Sequence, residues 1–142
     1  MPDFESREFV DVAEDIMTSK SGENQAYLRT VVGRSYYGAY GKLRRALILT
    51  GPNRFGDGGL HRPLINVCNE PGNPQLHDLG DRLKTLHALR SRADYQFNPA
   101  LNITLVEAQD SIELAKEALE MIDKLFPGDL ACINRCLGKK KK

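Results

Sequence analysis

The chain has 142 residues with a formal net charge of +1, 41% hydrophobic and 27% charged residues. That length suits one domain with a single buried core. The near-neutral charge excludes a polycation, so any affinity for nucleic acid has to come from a local patch. Apolar runs are too short for a membrane span, so no membrane partner is expected. Met1 to Phe9 is acidic and polar, unlike a signal peptide. The cysteines are Cys68, Cys132 and Cys136. An odd number points to a reducing, cytoplasmic home, with the cysteines as small apolar residues.

The first predicted helix covers roughly 4–19, with Phe9, Val12, Ala13, Ile16 and Met17 at helical spacing. "SKSGENQ" breaks it. The second covers roughly 23–49. Its stripe is Leu28, Val31, Val32, Ser35, Ala39, Leu43, Ala46 and Leu47. Gly33, Gly38 and Gly41 sit inside it, each costing about 1 kcal/mol against alanine. A helix that accepts this cost needs close approach by another helix or by a ligand. Tyr36 and Tyr40 share one face, Arg34 and Tyr37 another, and the reading is an Arg/Tyr surface bordering the stripe.

"GPNRFGDGG" reads as a loop, 61–69 as a short helix, and "NEPGNPQ" as a second loop. Leu76, Leu79, Leu83, Leu86 and Leu89 mark a third long helix that ends near Tyr95, before Asn98-Pro99. Near its end Arg90 and Asp94 are four apart, and Arg92 and Tyr95 three apart. If this helix packs antiparallel to the second, Arg34, Tyr37, Arg90 and Asp94 meet. They would then form an ion-pair knot or an anion pocket. Thr104 and Glu107 form a capping box for the last long helix. Its stripe is Ala108, Ile112, Ala115, Leu119, Ile122 and Phe126, and Pro127-Gly128 is read as closing it. A short tail with Leu130, Ile133 and Leu137 ends in a run of lysines at 139–142, read as a solvated basic tail after a domain of 1–138. The sum is an all-α, up-and-down bundle of four to five helices.

"RSYYGAYGKLRRALILTG", "GLHRPLI" and "LGDRLKTLHALRSRADY", followed by an alanine-rich helix, together resemble the HEPN superfamily, most of all its small stand-alone members. The resemblance spans about residues 23–125. It implies a helical bundle, often homodimeric, with a basic cleft. It also implies a role in toxin–antitoxin or anti-phage defence systems, as a metal-independent ribonuclease or as a partner of a nucleotidyltransferase or a defence nuclease. No cofactor and no metal are implied.

On this reading Arg90, Asp94 and Tyr95 are the catalytic candidates. Arg34, Tyr37 and Arg90 would bind RNA or nucleotide phosphate, with His61 and Arg92 in support. Exposed Tyr95 would also suit a modification acceptor. The sequence departs from the ribonuclease pattern, in which an Arg precedes a His by a few residues, because Tyr95 stands where that His is expected. Tyrosine, with an ordinary pKa near 10, is a poor base at neutral pH. Arg82 with His87, and Arg54 with His61, match the spacing only by register. The non-catalytic alternative is an interaction module in which the same residues lock the bundle.

Overall fold

The computed structural model describes residues 6–19, 24–50 and 74–140, with side chains at all of these except 48–50 and 134–140. The described residues form an all-α bundle without a strand. Helix α1 is Arg7–Ser19, α2 Gln25–Thr50, α3 Pro74–Tyr95, α4 Leu105–Asp123 and α5 Pro127–Lys140. A 3-10 turn, Pro99–Leu101, joins α3 to α4. The short helix expected at 61–69, and His61 with it, lie outside the described residues.

Local chemistry marks where α2, α3, α4 and α5 begin. The Asn24 side chain accepts from the Ala26 N–H at 2.9 Å and caps α2. Pro74 opens α3, where its missing N–H costs nothing. Thr104 and Glu107 form the expected capping box on α4. Pro127 opens α5 and does not close α4, which ends at Asp123 with Lys124 as its cap. Phe126 therefore lies in the connection, 68% exposed, and does not continue the α4 stripe. The tail is helical as far as Lys140, so the first two lysines of the basic run belong to α5.

Helix α2 is the hub, in contact with each of the other four helices. Cross-contacts fix the directions. Arg29 meets Arg92 and Ala93 while Tyr37 meets Arg90, so α2 and α3 run antiparallel. Arg92 meets Glu107 and Arg82 meets Glu117, so α3 and α4 are antiparallel too. The core joins Leu28, Val31, Val32, Ala39, Leu43 and Leu47 of α2 to leucines of α3, alanines of α4, and Leu130 and Ile133 of α5. Ser111 of α4 donates to Ser35 of α2 at 3.3 Å inside it.

Two sequence expectations are corrected by this packing. Tyr36 and Tyr40 do not border the stripe as surface residues. Both are core, with their rings stacked at 5.7 Å. On α1, Val10 is fully buried and Val12 is 44% exposed. The cause is a notch in α2. A Cβ on Gly38 would lie 2.7 Å from Val10 Cγ2 and 3.1 Å from the Ser6 carbonyl oxygen, and one on Gly41 would lie 3.1 Å from Ser6 Oγ. Helix α1 seats Ser6 and Val10 in that notch, which turns Val12 outward. Gly38→Ala is therefore expected to destabilise the bundle by about 1–2 kcal/mol net, overpacking outweighing the better helix propensity. Urea unfolding of the variant beside the wild type measures this directly.

Candidate functional site

Tyr37 and Gly33 lie on α2 at a spacing of four, and Arg29 extends the row by another four. Antiparallel α3 brings Arg90 and Asp94 alongside. Arg90 Nη2 donates to the Tyr37 hydroxyl at 2.7 Å. Its Nε lies 3.0 Å from Asp94 Oδ2, an ion pair one helical turn long. The guanidinium carbon is 5.3, 5.5 and 5.9 Å from the ring centroids of Tyr37, Tyr95 and Tyr36. Three aromatic rings and a carboxylate thus surround one cation. The Arg90 side chain is 15% exposed, whereas Asp94 is 39% exposed and faces solvent.

Electrostatics hold this cation in place. Burial of the Arg90 guanidinium pulls its pKa down, but Tyr37, Asp94, Tyr95 and Tyr36 outweigh burial and raise it. Burial pushes the Tyr36 phenol far above its ordinary range, with neighbouring Tyr40 adding to the shift. Burial likewise raises Tyr40. Neither core tyrosine is a proton donor or acceptor near neutral pH. The chemistry this arrangement supplies is a fixed positive charge beside a carboxylate, suited to phosphate.

Beside the cation is an open cleft of about 250 Å3 lined by Arg29, Thr30, Gly33, Arg34, Tyr37 and Asp94. Arg34 is exposed, its guanidinium 5.4 Å from the Phe9 ring centroid. Arg34, Tyr37 and Asp94 thus border one opening, while Arg90 is tied to it through the last two. Asp94 pairs with Arg90 and not with Arg34. Tyr95 is largely exposed at the end of α3 and touches Arg90 with its ring. Arg92 is committed to Glu107 and is not among the cleft residues. His87 packs edge-on to Tyr36 at 5.5 Å, while Arg82 pairs with Glu117 at 2.6 Å, so the two side chains turn to different partners.

Sequence reasoning missed Arg29 and Gln25. Arg29 Nη1 donates to the Arg92 and Ala93 carbonyls at 3.2 and 2.9 Å, capping the end of α3. The Gln25 side chain accepts from the Arg29 Nε and exchanges two hydrogen bonds with the Ile103 backbone. Of the two, Arg29 lines the cleft. The four-residue row Arg29–Gly33–Tyr37 was the available signal.

Elsewhere among the described residues, His77, Asp78 and Asp81 bring ligand atoms within 4.8 Å of one another. All three are exposed, and His77 is already paired with Asp81 at 3.3 Å. Cys132 is half-buried and free. No described helix is long and apolar enough to cross a membrane.

No known protein family's sequence profile matches the chain. No solved structure matches it. An uncharacterized protein of Methanocaldococcus jannaschii is 28% identical over 134 residues, covering 82% of this chain and 75% of that protein.

The ties below the cleft predict a pH dependence. The Arg92 hydrogen bond, aided by Thr104 and working against burial, holds the Glu107 carboxyl below the usual glutamate range. A carboxylate lowered in the folded state stabilises above its unfolded pKa of about 4.3, and that contribution fades as pH falls through the folded value. Glu107→Gln is expected to lower stability by about 1 kcal/mol at pH 7. The difference from wild type should shrink toward zero in the acid range below pH ~4. Thermal melts of both proteins across pH 7 to 3 read it out.

Proposed function

We propose that this chain is a HEPN-like bundle that binds RNA or nucleotide phosphate in the cleft between α2 and α3. The observation that carries the reading is the placement of Arg90. Its cation is held among three tyrosine rings behind Tyr37 and Asp94, which line an open cleft, with its counter-ion on the solvent side. A bundle lock would bury both partners. Here the carboxylate is exposed, and such a pair contributes on the order of 1 kcal/mol or less. That is small for a residue set in so specific a frame.

In this reading Arg90 and Arg34 attract the phosphate, Asp94 and Tyr37 fix the Arg90 fork, and Tyr95 offers an exposed ring for stacking on a base. Ribonuclease chemistry would be attack of an RNA 2′-hydroxyl on the adjacent phosphorus, with Arg90 stabilising the charge on the phosphate. The bond to the 5′-oxygen would break, leaving a 2′,3′-cyclic phosphate and a 5′-hydroxyl. The proton lost by the 2′-hydroxyl is matched by the one the 5′-oxygen takes up. Placement in a toxin–antitoxin or anti-phage system, with a nucleotidyltransferase or defence nuclease as partner, rests on the motif resemblance alone.

A second reading, the interaction module, is favoured by a separate observation. Tyr95, Phe97 and Val106 are large apolar residues left exposed around the α3–α4 connection, Phe97 by 75%. Such residues suit a protein partner, a second copy of the chain included. Phe97→Asp would then abolish self-association in sedimentation velocity while leaving RNA affinity intact.

The first reading is tested with a mixed RNA pool in EDTA, measuring both binding and cleavage. Arg90→Ala is expected to stay folded and to lose at least tenfold in affinity, together with any cleavage. Arg90→Lys is expected to recover binding only in part, because the fork is lost. Wild-type affinity in a folded Arg90→Ala protein would refute the proposal.

A further inference from the structure

Three glycines interrupt α2, and packing explains two of them. Gly38 and Gly41 admit α1. Gly33 is different, because a Cβ built there would meet nothing within 4 Å among the described residues. A mid-helix glycine in open space gives up helix propensity for no internal contact. Gly33 lines the cleft, one residue from Arg34 and four from Tyr37. The bare backbone at Gly33 thus leaves room in the cleft that no described residue fills.

The groups around Gly33 indicate the chemistry that fits there. Arg34 makes no hydrogen bond or ion pair among the described residues, and its guanidinium rests 5.4 Å from the Phe9 ring centroid. Its fork is open to an anion. Asp94 uses Oδ2 on Arg90, leaving Oδ1 as an acceptor at the rim. An anion on one side and hydroxyl donors on the other describe a ribose phosphate. A cleft of about 250 Å3 has room for about one such unit and not for a folded helix of RNA.

We infer that the cleft over Gly33 is a subsite for one ribonucleotide unit. The phosphate lies on Arg34, the sugar lies against the α2 backbone at Gly33, and the 2′-hydroxyl donates to Asp94. This rests on the RNA-binding reading and adds two things to it. Gly33 is the residue that makes the room. Asp94 is the residue that tells ribose from deoxyribose.

The experiment measures fluorescence anisotropy with a labelled single-stranded oligoribonucleotide and with the oligodeoxyribonucleotide of matching sequence, at two salt concentrations. Melting curves are recorded alongside. Gly33→Ala is expected to raise the melting temperature yet weaken RNA binding at least tenfold. A merely structural glycine would not move the two readouts in opposite directions. Asp94→Ala is expected to bring the RNA-over-DNA ratio down toward one. Arg34→Ala is expected to weaken both strands alike and to reduce the slope of log affinity against log salt by about one.

Tight binding of RNA by the wild type, with Gly33→Ala and Asp94→Ala unchanged in affinity and preference, overturns the subsite and leaves the broader reading standing. No binding of either strand by the wild type overturns both. Uridine 3′-monophosphate as competitor separates the two sources of the same chemistry. Competition at concentrations comparable to those of the strand assigns the subsite to free nucleotides, and weak competition assigns it to a strand. Both results require Gly33→Ala to weaken the complex that forms.

Discussion

Everything in this bundle is arranged around α2, and the constraint on α2 is steric. It has to accept a helix on almost every side. The tight approach is made by α1, through Val10 and Ser6 set against Gly38 and Gly41. With α1 seated there, Tyr36 and Tyr40 turn inward and become core. Antiparallel α3 covers the flank beside them. Among the described residues, the N-terminal half of α2 keeps a strip through Thr30, Gly33 and Arg34 open, and this strip forms one wall of the cleft.

The polar chemistry follows from that exposure. A guanidinium cannot give up its proton in a protein, so placing Arg90 at 15% exposure demands compensation. Tyrosine rings supply it without competing for a phosphate. Asp94 supplies it from the solvent side, where its second oxygen stays accessible. Arg29, on the cleft wall, donates to the carbonyls ending α3, and Arg92 pairs with Glu107 in the α4 cap. Arg29 and Arg34 thus line the opening, Arg90 reaches it only through Tyr37 and Asp94, and Arg92 lies outside it.

The helical architecture was legible because the leucine stripe of α3, the alanine stripe of α4 and the Thr104–Glu107 box each carry a strong local signal. The juxtaposition of Tyr37, Arg90 and Asp94 was also legible, given one assumption about antiparallel packing. Other features were not. Val12 and Val10 are equally apolar, and only the glycine notch on a distant helix decides which is buried. Tyr36 and Tyr37 are adjacent and chemically identical, yet one is core and the other lies on the cleft. The role of Pro127 depended on whether α4 had already ended at Asp123, and a proline before a helix reads like a proline after one. Arg29 looked like any surface arginine until the end of α3 was placed beside it.

On the proposed RNA site, Arg34 and Arg90 respond to phosphate while Arg29 and Arg92 hold the bundle. Titrating the labelled protein with a short single-stranded oligoribonucleotide, and following arginine Nε–Hε resonances by NMR, tests that division residue by residue. The account predicts that the Arg34 and Arg90 signals shift in a saturable way while those of Arg29 and Arg92 stay in place. Stationary Arg34 and Arg90 signals at saturating RNA, or shifts confined to other arginines, would contradict it.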